Sequence, residues 1–390
     1  MTLETIAPFK EVIDEIMVAG GEAFRFCFQC GLCDAVCPWN RVRQFSIRKI
    51  IREATFGLTE IDGDDIWRCT TCGRCPDRCP RGVKQIEVGV ALRRVASEYE
   101  VFPASVRSAR TARASLISEG NPLQGERQKR ADWAEGLGVK PYAEGMEILF
   151  FVGCYFSYDP RMKKVARDIV DIFNKAKVDF GILGLDENCC GESIRKTGSE
   201  KVFKQLAREN IKTFIDRGVK RLVVSSPHCL HTFKNEYPEF MVHFDVLHLS
   251  QYLMELVETG RLELSGEYPK KVTYHDPCYM GRHNNIYTAP RELLEKVKGL
   301  ELREMVDSHA DSLCCGGGGG RIWMDTPQED RFSDLRLHQA KNTGAGVLAT
   351  ACPYCITNFE ESRLNLELED VLEVKDIAEI VNEVSGKAEV

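Results

Sequence analysis

Two runs of cysteine with identical spacing leave this chain few ways to fold. Cys27, Cys30, Cys33 and Cys37 precede Pro38, and Cys69, Cys72, Cys75 and Cys79 precede Pro80, so both read C-x2-C-x2-C-x3-C-P. Three closely spaced thiolates suit three irons of one cubane, and in two-cluster ferredoxins the fourth cysteine of each run reaches the other cluster. The spacing therefore assigns Cys27, Cys30, Cys33 and Cys79 to one [4Fe-4S] cluster, and Cys69, Cys72, Cys75 and Cys37 to a second. Paired zinc sites are the alternative, but zinc usually joins C-x2-C units across a longer gap.

The chain has 17 cysteines in 390 residues, an odd number. The amino-terminal stretch MTLETIAPFKEVIDE lacks a basic region followed by an apolar one, so no secretory signal and a cytoplasmic location are expected. In that compartment a disulfide framework is disfavoured and metal binding is the expected use of the thiols. A formal charge of −7 argues against general nucleic-acid binding. The most apolar run, Ile148 to Phe156, falls well short of the roughly 18 residues that cross a bilayer, so the chain is expected to have no membrane span of its own.

The second half repeats itself. Cys154, Cys189-Cys190-Gly191 and Ser225-Ser226-Pro227-His228-Cys229 are answered by Cys278, Cys314-Cys315-Gly316 and Thr350-Ala351-Cys352-Pro353-Tyr354-Cys355. The offsets are 124, 125 and 126 residues at Cys154/Cys278, Cys190/Cys315 and Cys229/Cys355. So small a drift marks an internal duplication.

Periodicity places these motifs. A helix is expected near Phe9 to Met17, ending at Gly20-Gly21; Ile47, Ile50, Ile51 and Ala54 mark a second, and Ile86, Val90, Leu92 and Val95 a third. In each later copy a strand (Glu147 to Val152, Lys271 to His275) and a further strand (Arg221 to Ser225, Gly346 to Thr350) alternate with amphipathic helices, which reads as an α/β lobe with parallel strands. Loops at the carboxyl ends of such strands gather in one crevice, so cysteines far apart in sequence can converge. The expected class is multidomain α+β: residues 1–100 an α-helical two-cluster ferredoxin domain, 101–145 a linker or arm, 146–265 a first cysteine-rich lobe and 266–390 a second. Arg107, Arg110, Arg113, Arg127 and Arg130 make the arm locally basic, either a solvated face or a docking surface for an acidic partner.

These residues resemble a known family. The pattern of a cysteine, then CCG, then C-x-x-C, with HDPC-x-x-GRHN and LCCGGGGGR-x-W, is similar to the CCG or cysteine-rich domain of heterodisulfide reductases. Joined to a helical ferredoxin domain in one chain, it resembles the D-type fusion of what other organisms encode as separate C and B subunits. The resemblance implies a non-cubane [4Fe-4S] cluster on Cys278, Cys314, Cys315, Cys352 and Cys355. The first copy keeps Cys154, Cys189, Cys190 and Cys229 but has Ser226 where the second has Cys352, which leaves open an ordinary further [4Fe-4S] cluster or none. The implied function is an iron–sulfur oxidoreductase subunit that passes electrons through two cubanes to the non-cubane cluster, where a disulfide is reduced. The alternative is an electron-transfer relay in a larger complex containing a flavin-bearing heterodisulfide reductase A-like subunit, such as a class II benzoyl-CoA reductase complex. Either way the chain is expected in a hetero-oligomer with other redox subunits.

Further residues flank the second copy's cysteines. Gly316, Gly317 and Gly318 lack Cβ atoms and are expected to bring backbone N–H groups close to a cluster. His275 and His283 are candidate proton donors beside Cys278, since thiolate products need protons. Arg282 is a candidate for holding an anionic substrate or partner carboxylate.

Overall fold

The computed structural model describes residues 8–58 and 60–386. Residues 1–7, the start of the stretch read for a leader, and residues 387–390, the end of the expected second lobe, lie outside the described residues. The chain forms two compact units.

One unit comprises the chain up to Arg110 together with Ser193–Lys201 and Gly316–Phe332. Its helix Ile47–Phe56 starts at Ser46, whose hydroxyl accepts from the Lys49 N–H at 3.0 Å, stops at Gly57 in the left-handed region, and buries Ile47, Ile50, Ile51 and Ala54. Helix Gln85–Glu98 buries Val90, Leu92 and Val95. Helix Lys10–Ile16 is shorter than its periodicity suggests: only Ile16 is buried, and Gly20, at φ 96°, breaks the wide turn that follows. Both four-cysteine runs make the same local turn, with positive φ at Gln29 and Gly31 in the first and at Thr71 and Gly73 in the second. Glycine follows the second cysteine of each run because a side chain is strained in that conformation.

Arg93 holds this unit together. The residue is 1% exposed, and its guanidinium donates to the carbonyls of Ile66 (2.8 Å), Cys69 (2.7 Å), Lys196 (3.0 Å) and Gly319 (2.9 Å). One buried cation thus satisfies four carbonyls from three separate stretches of chain. The glycine run explains how they come so close. A Cβ on Gly318 would lie 2.3 Å from the Thr70 carbonyl oxygen, and one on Gly319 2.5 Å from that of Cys69.

The other unit comprises Thr111–Glu192, Val202–Cys315 and Ser333–Val390. It contains two four-stranded, wholly parallel sheets. Strands β1 (Ile148–Phe151), β2 (Phe180–Gly181), β3 (Arg221–Val224) and β4 (Asp245–His248) lie in the order β2-β1-β3-β4. Strands β5 (Lys271–Tyr274), β6 (Glu301–Arg303), β7 (Val347–Thr350) and β8 (Glu373–Asp376) repeat it as β6-β5-β7-β8. Of the central strands, β1 (ILFF) and β7 (VLAT) are buried at every position, and β3 and β5 at every position but the first, as a sheet covered on both faces requires. Helix Pro160–Lys175 of the first lobe packs on Ile377–Val384 of the second, and Leu249–Glu258 of the first on Thr288–Glu295 of the second. Arg161 pairs with Glu379 at 2.5 Å, and Lys175 donates to Asn382 Oδ1 at 2.9 Å across the first of these contacts. Among the described residues no helix is long and apolar enough to cross a membrane.

Two glycines should respond oppositely to alanine. Gly318→Ala forces backbone apart and is expected to destabilise the chain by about 1–3 kcal/mol. Gly89→Ala, inside helix Gln85–Glu98 with nothing within 4 Å of the new methyl, is expected to stabilise it by up to about 1 kcal/mol. Thermal midpoints of anaerobic protein check both, and a stable Gly318→Ala would contradict the close approach.

Candidate metal centres

The ferredoxin unit gathers its eight cysteines in two crossed sets. Cys27, Cys30 and Cys33 of the first run and Cys79 of the second line one cavity of about 310 Å³. Cys69, Cys72 and Cys75 of the second run and Cys37 of the first line another of about 320 Å³. The electrostatics follow the same partition. Burial, then the charges of Cys72 and Cys69, push the Cys37 thiol up, and burial followed by Cys69, Cys72 and Cys37 does the same at Cys75. Cys33 is pushed up to about 12 by burial and then Asp34, with Cys27 adding to it. Thiols so placed resist ionisation until positive charge enters between them. These cavities therefore fit a multi-iron cluster, whose irons would supply that charge. Among the described residues no His, Cys, Asp or Glu group converges tightly enough for a single ion.

The two sets differ in surroundings. Cys30 is exposed, beside the exposed side chains of Phe26, Phe28 and Leu32. The second cavity includes Trp39 and Arg74 in its wall. Arg321 lies over Trp39 with Cζ 5.4 Å from the ring centre and is lowered to about 10 by burial and then by Arg93 and Arg68. Buried positive charge thus accumulates beside the second set.

In the other unit the cysteines follow the carboxyl ends of equivalent strands. Cys154 comes after β1, Cys189 and Cys190 after β2, and Ser226 and Cys229 after β3; Cys278 comes after β5, Cys314 and Cys315 after β6, and Cys352 and Cys355 after β7. In the first lobe Cys154, Cys189, Cys190, Cys229 and Ser226 line a cavity of about 380 Å³ including its mouth. In the second lobe all five cysteines are buried, and Cys355 Sγ lies 3.4 Å from Cys315 Sγ. Ser226 and Cys352 each cap a helix that opens with proline, so the serine occupies the place of the missing thiol.

A shared wall joins the two lobes' sites. The ring of His228 stacks 4.1 Å from Tyr279 and 4.2 Å from Tyr354, while Tyr155 packs 4.9 Å from Tyr354. Tyr155 and Tyr279 follow equivalent cysteines, and His228 and Tyr354 are equivalent within Ser226-Pro227-His228-Cys229 and Cys352-Pro353-Tyr354-Cys355, so the wall is pseudo-twofold. His228 belongs to the first lobe's cavity, yet it hydrogen-bonds Cys352 of the second and lies 3.1 Å from Glu192. Burial opposes its charge, but Glu192 and Cys352 raise it to about 10. At Cys352 burial raises the thiol, but hydrogen bonds from Cys355 and His228 bring it down to about 5. A thiol held as thiolate is ready to bind metal. Sequence reasoning missed this wall, although aligning the two copies marks each of its rings.

The other expected site residues have more specific places. His275 is fully buried and held far below its usual range by burial and then Arg336; its Nδ1 accepts from Arg336 Nε at 3.0 Å, so Nε2 carries the proton and faces Cys355 Sγ at 3.4 Å. It is a neutral hydrogen-bond donor to a thiol, a poor acid for protonating product. His283 is half-buried, stacked on Tyr279 at 4.3 Å and 5.0 Å from His231. Arg282 donates to the carbonyls of Ala310 (3.0 Å) and Ser312 (2.8 Å), bracing the segment before Cys314. In the run that Gly316 and Gly317 open, Gly318 and Gly319 come close to the Thr70 and Cys69 carbonyls of the second ferredoxin loop.

The arm's arginines also depart from a simple solvated face. Arg107, Arg110 and Arg113 are exposed, but Arg127 donates to Asn188 Oδ1 at 2.5 Å, and Arg130, 2% exposed, pairs with Glu187 at 2.7 Å and lies 3.7 Å from Cys154 Sγ.

The cysteine-rich domain family matches residues 148–234 and 272–360, and the 4Fe-4S dicluster domain family matches residues 23–83. The D-type subunit of the dihydromethanophenazine:CoB--CoM heterodisulfide reductase of Methanosarcina barkeri is 29% identical over 92% of this chain and 93% of its own length. The chain thus joins a 4Fe-4S dicluster domain to two cysteine-rich domains and is similar along most of its length to that D-type subunit. The probable iron-sulfur-binding oxidoreductase FadF of Bacillus subtilis is 35% identical over 82% of this chain and 46% of the relative. The EtfAB:quinone oxidoreductase of Syntrophomonas wolfei is 33% identical over 82% and 46% respectively. This chain spans about half the length of these last two relatives.

Proposed function

We propose that this chain is the electron-transferring subunit of an iron–sulfur oxidoreductase complex. In this reading the ferredoxin unit holds two [4Fe-4S] cubanes, on Cys27, Cys30, Cys33 and Cys79 and on Cys69, Cys72, Cys75 and Cys37. The second lobe holds a non-cubane [4Fe-4S] cluster on Cys278, Cys314, Cys315, Cys352 and Cys355, and an acceptor is reduced there. The supporting observation is the gathering of thiols from separate loops into compact sets, most of them buried. When bound, the clusters supply one-electron storage and an iron-bound sulfur environment for a two-electron acceptor.

The protein's own groups supply the rest. The exposed rim at Phe26, Phe28, Leu32 and Cys30 is where a redox partner, in this reading a flavin-bearing subunit, meets the first set. His275 gives its N–H to Cys355 and so favours the ionised sulfur. His283, half-buried beside Tyr279, is better placed than His275 to pass a proton to a product.

Two acceptors are compatible with this arrangement. The complete five-thiol set of the second lobe favours a disulfide, as in a heterodisulfide reductase. Ser226 at the matching position, and a relative named as a quinone oxidoreductase, favour an acceptor other than a disulfide, with the chain as relay. Assay of the anaerobic chain with an artificial reductant and a range of disulfides separates them: cleavage supports the first, and its failure with every donor supports the relay.

Iron content tests the cluster set. Wild-type protein is expected to carry about twelve irons per chain, or about sixteen if the first lobe is loaded. Cys352→Ser is expected to lose about four irons and the non-cubane electron paramagnetic resonance (EPR) signal while both cubane signals persist. Cys37→Ser should perturb the cubane of the second run and Cys79→Ser that of the first. About eight irons in wild type, or a Cys37→Ser protein in which only the first run's cubane changes, would overturn these assignments.

A further inference from the structure

We propose that Arg130 is the charge partner of an iron–sulfur cluster bound by Cys154, Cys189, Cys190 and Cys229, standing beside the set that lacks the thiolate Ser226 does not provide and setting that cluster's redox potential. The inference rests on the reading that the first lobe holds a cluster, and the test below separates the two.

The case begins with a cation short of acceptors. The Arg130 side chain is 1% exposed and Glu187 is 2% exposed. One guanidinium nitrogen, Nη2, reaches Glu187 Oε1 at 2.7 Å and Cys154 Sγ at 3.7 Å, while Nε and Nη1, also buried, have no hydrogen-bond partner. Glu187 is already engaged: Oε1 accepts from the Gly153 N–H at 2.9 Å and Oε2 from that of Val152 at 3.0 Å. A buried guanidinium with unmet donors is strongly unfavourable. Its surroundings become favourable once Cys154 and its neighbours are ionised, which is their state when they bind iron.

The second lobe is arranged differently. Its thiol Cys355 faces the neutral ring of His275, the cation Arg336 stands behind that ring, 3.0 Å from its far nitrogen, and Cys352 is hydrogen-bonded by His228. In the first lobe a guanidinium lies directly against one thiol of a set of four. Reduction adds negative charge, so a cation held against that set makes its cluster easier to reduce than the same cluster without Arg130.

The test is EPR-monitored redox titration of the whole chain, purified anaerobically. The signal that Cys154→Ser removes identifies the first-lobe cluster. Arg130→Gln is expected to shift its midpoint to lower potential, Arg130→Lys to leave it near the wild-type value, and Glu187→Gln, which removes the opposing anion, to shift it upward. The ferredoxin signals should hold still in all three, reporting intact folding. A merely structural role would not produce shifts of opposite sign at neighbouring positions. If the signal persists in Arg130→Gln and Glu187→Gln with its potential unmoved, the role of Arg130 is overturned while the cluster stands. If Cys154→Ser costs no iron and no signal, the cluster reading fails and takes the inference with it. Should Arg130→Gln not fold, the direction of the Glu187→Gln shift decides.

Discussion

Thiolates crowded together repel, and burial removes the water that would screen them. That constraint governs this molecule, because its cysteines are gathered into sets behind apolar walls. In each ferredoxin and first-lobe set, burial and neighbouring sulfurs drive buried thiols such as Cys37, Cys75, Cys154 and Cys190 upward. Positive charge must balance them, supplied by bound iron and by buried arginines. Arg93 organises the ferredoxin unit around the Cys69 loop, Arg321 adds charge beside it, and Arg130 does the same at Cys154. The exception is Cys352, where a histidine from the other lobe lowers a thiol that burial alone would raise.

The duplication shows how one frame came to hold two different sites. The sheets share strand order, the cysteine loops follow the same strands, and the ring wall is built from equivalent positions. The copies diverge in the chemistry at those positions. Ser226 replaces a thiol, His228 replaces the tyrosine found at Tyr354, and a guanidinium rather than an imidazole reaches the first lobe's sulfurs. An aromatic contact between lobes needs only shape, so tyrosine and histidine can exchange without disturbing packing. Their electrical consequences are opposite in kind, because only one of the two rings can carry charge near neutral pH.

What could be read from the sequence was whatever repeats at short range. Helices Ile47–Phe56 and Gln85–Glu98 carry four or more apolar residues at helical spacing, and β1, β3, β5 and β7 are short segments rich in apolar and β-branched residues beside marked cysteines. The remaining strands escaped because they carry little signal: β2 has two residues, β6 is largely exposed, and β4 and β8 are sheet edges that begin or end on acidic residues. The cysteine sets were legible through spacing, whereas Arg93, Arg130, Glu187 and Glu192 were not. Each of these is a single charged residue whose partners lie tens to hundreds of positions away. The glycine run after Cys315 was recognised as a place of close approach, but spacing alone cannot say which backbone approaches.

The distribution of charge also bears on direction. An electron added to a buried cluster settles where the surroundings are least negative, and the protein adjusts this with groups that do not titrate in the working range. The first ferredoxin set opens to water at Cys30, while the second is backed by Arg93, Arg321 and Arg68. Screening by water weakens any charge effect at the first set, and its absence strengthens that effect at the second. The first set's cavity also carries Arg48 and Arg81 in its wall, so the contrast lies in how far water screens the charge. The same logic, applied inside the duplicated unit, distinguishes the guanidinium at Cys154 from the imidazoles of His275 and His228 at Cys355 and Cys352. A fold that repeats its scaffold can thus order its redox sites in energy by changing a few buried side chains, leaving the sheets and the cysteine loops as they are.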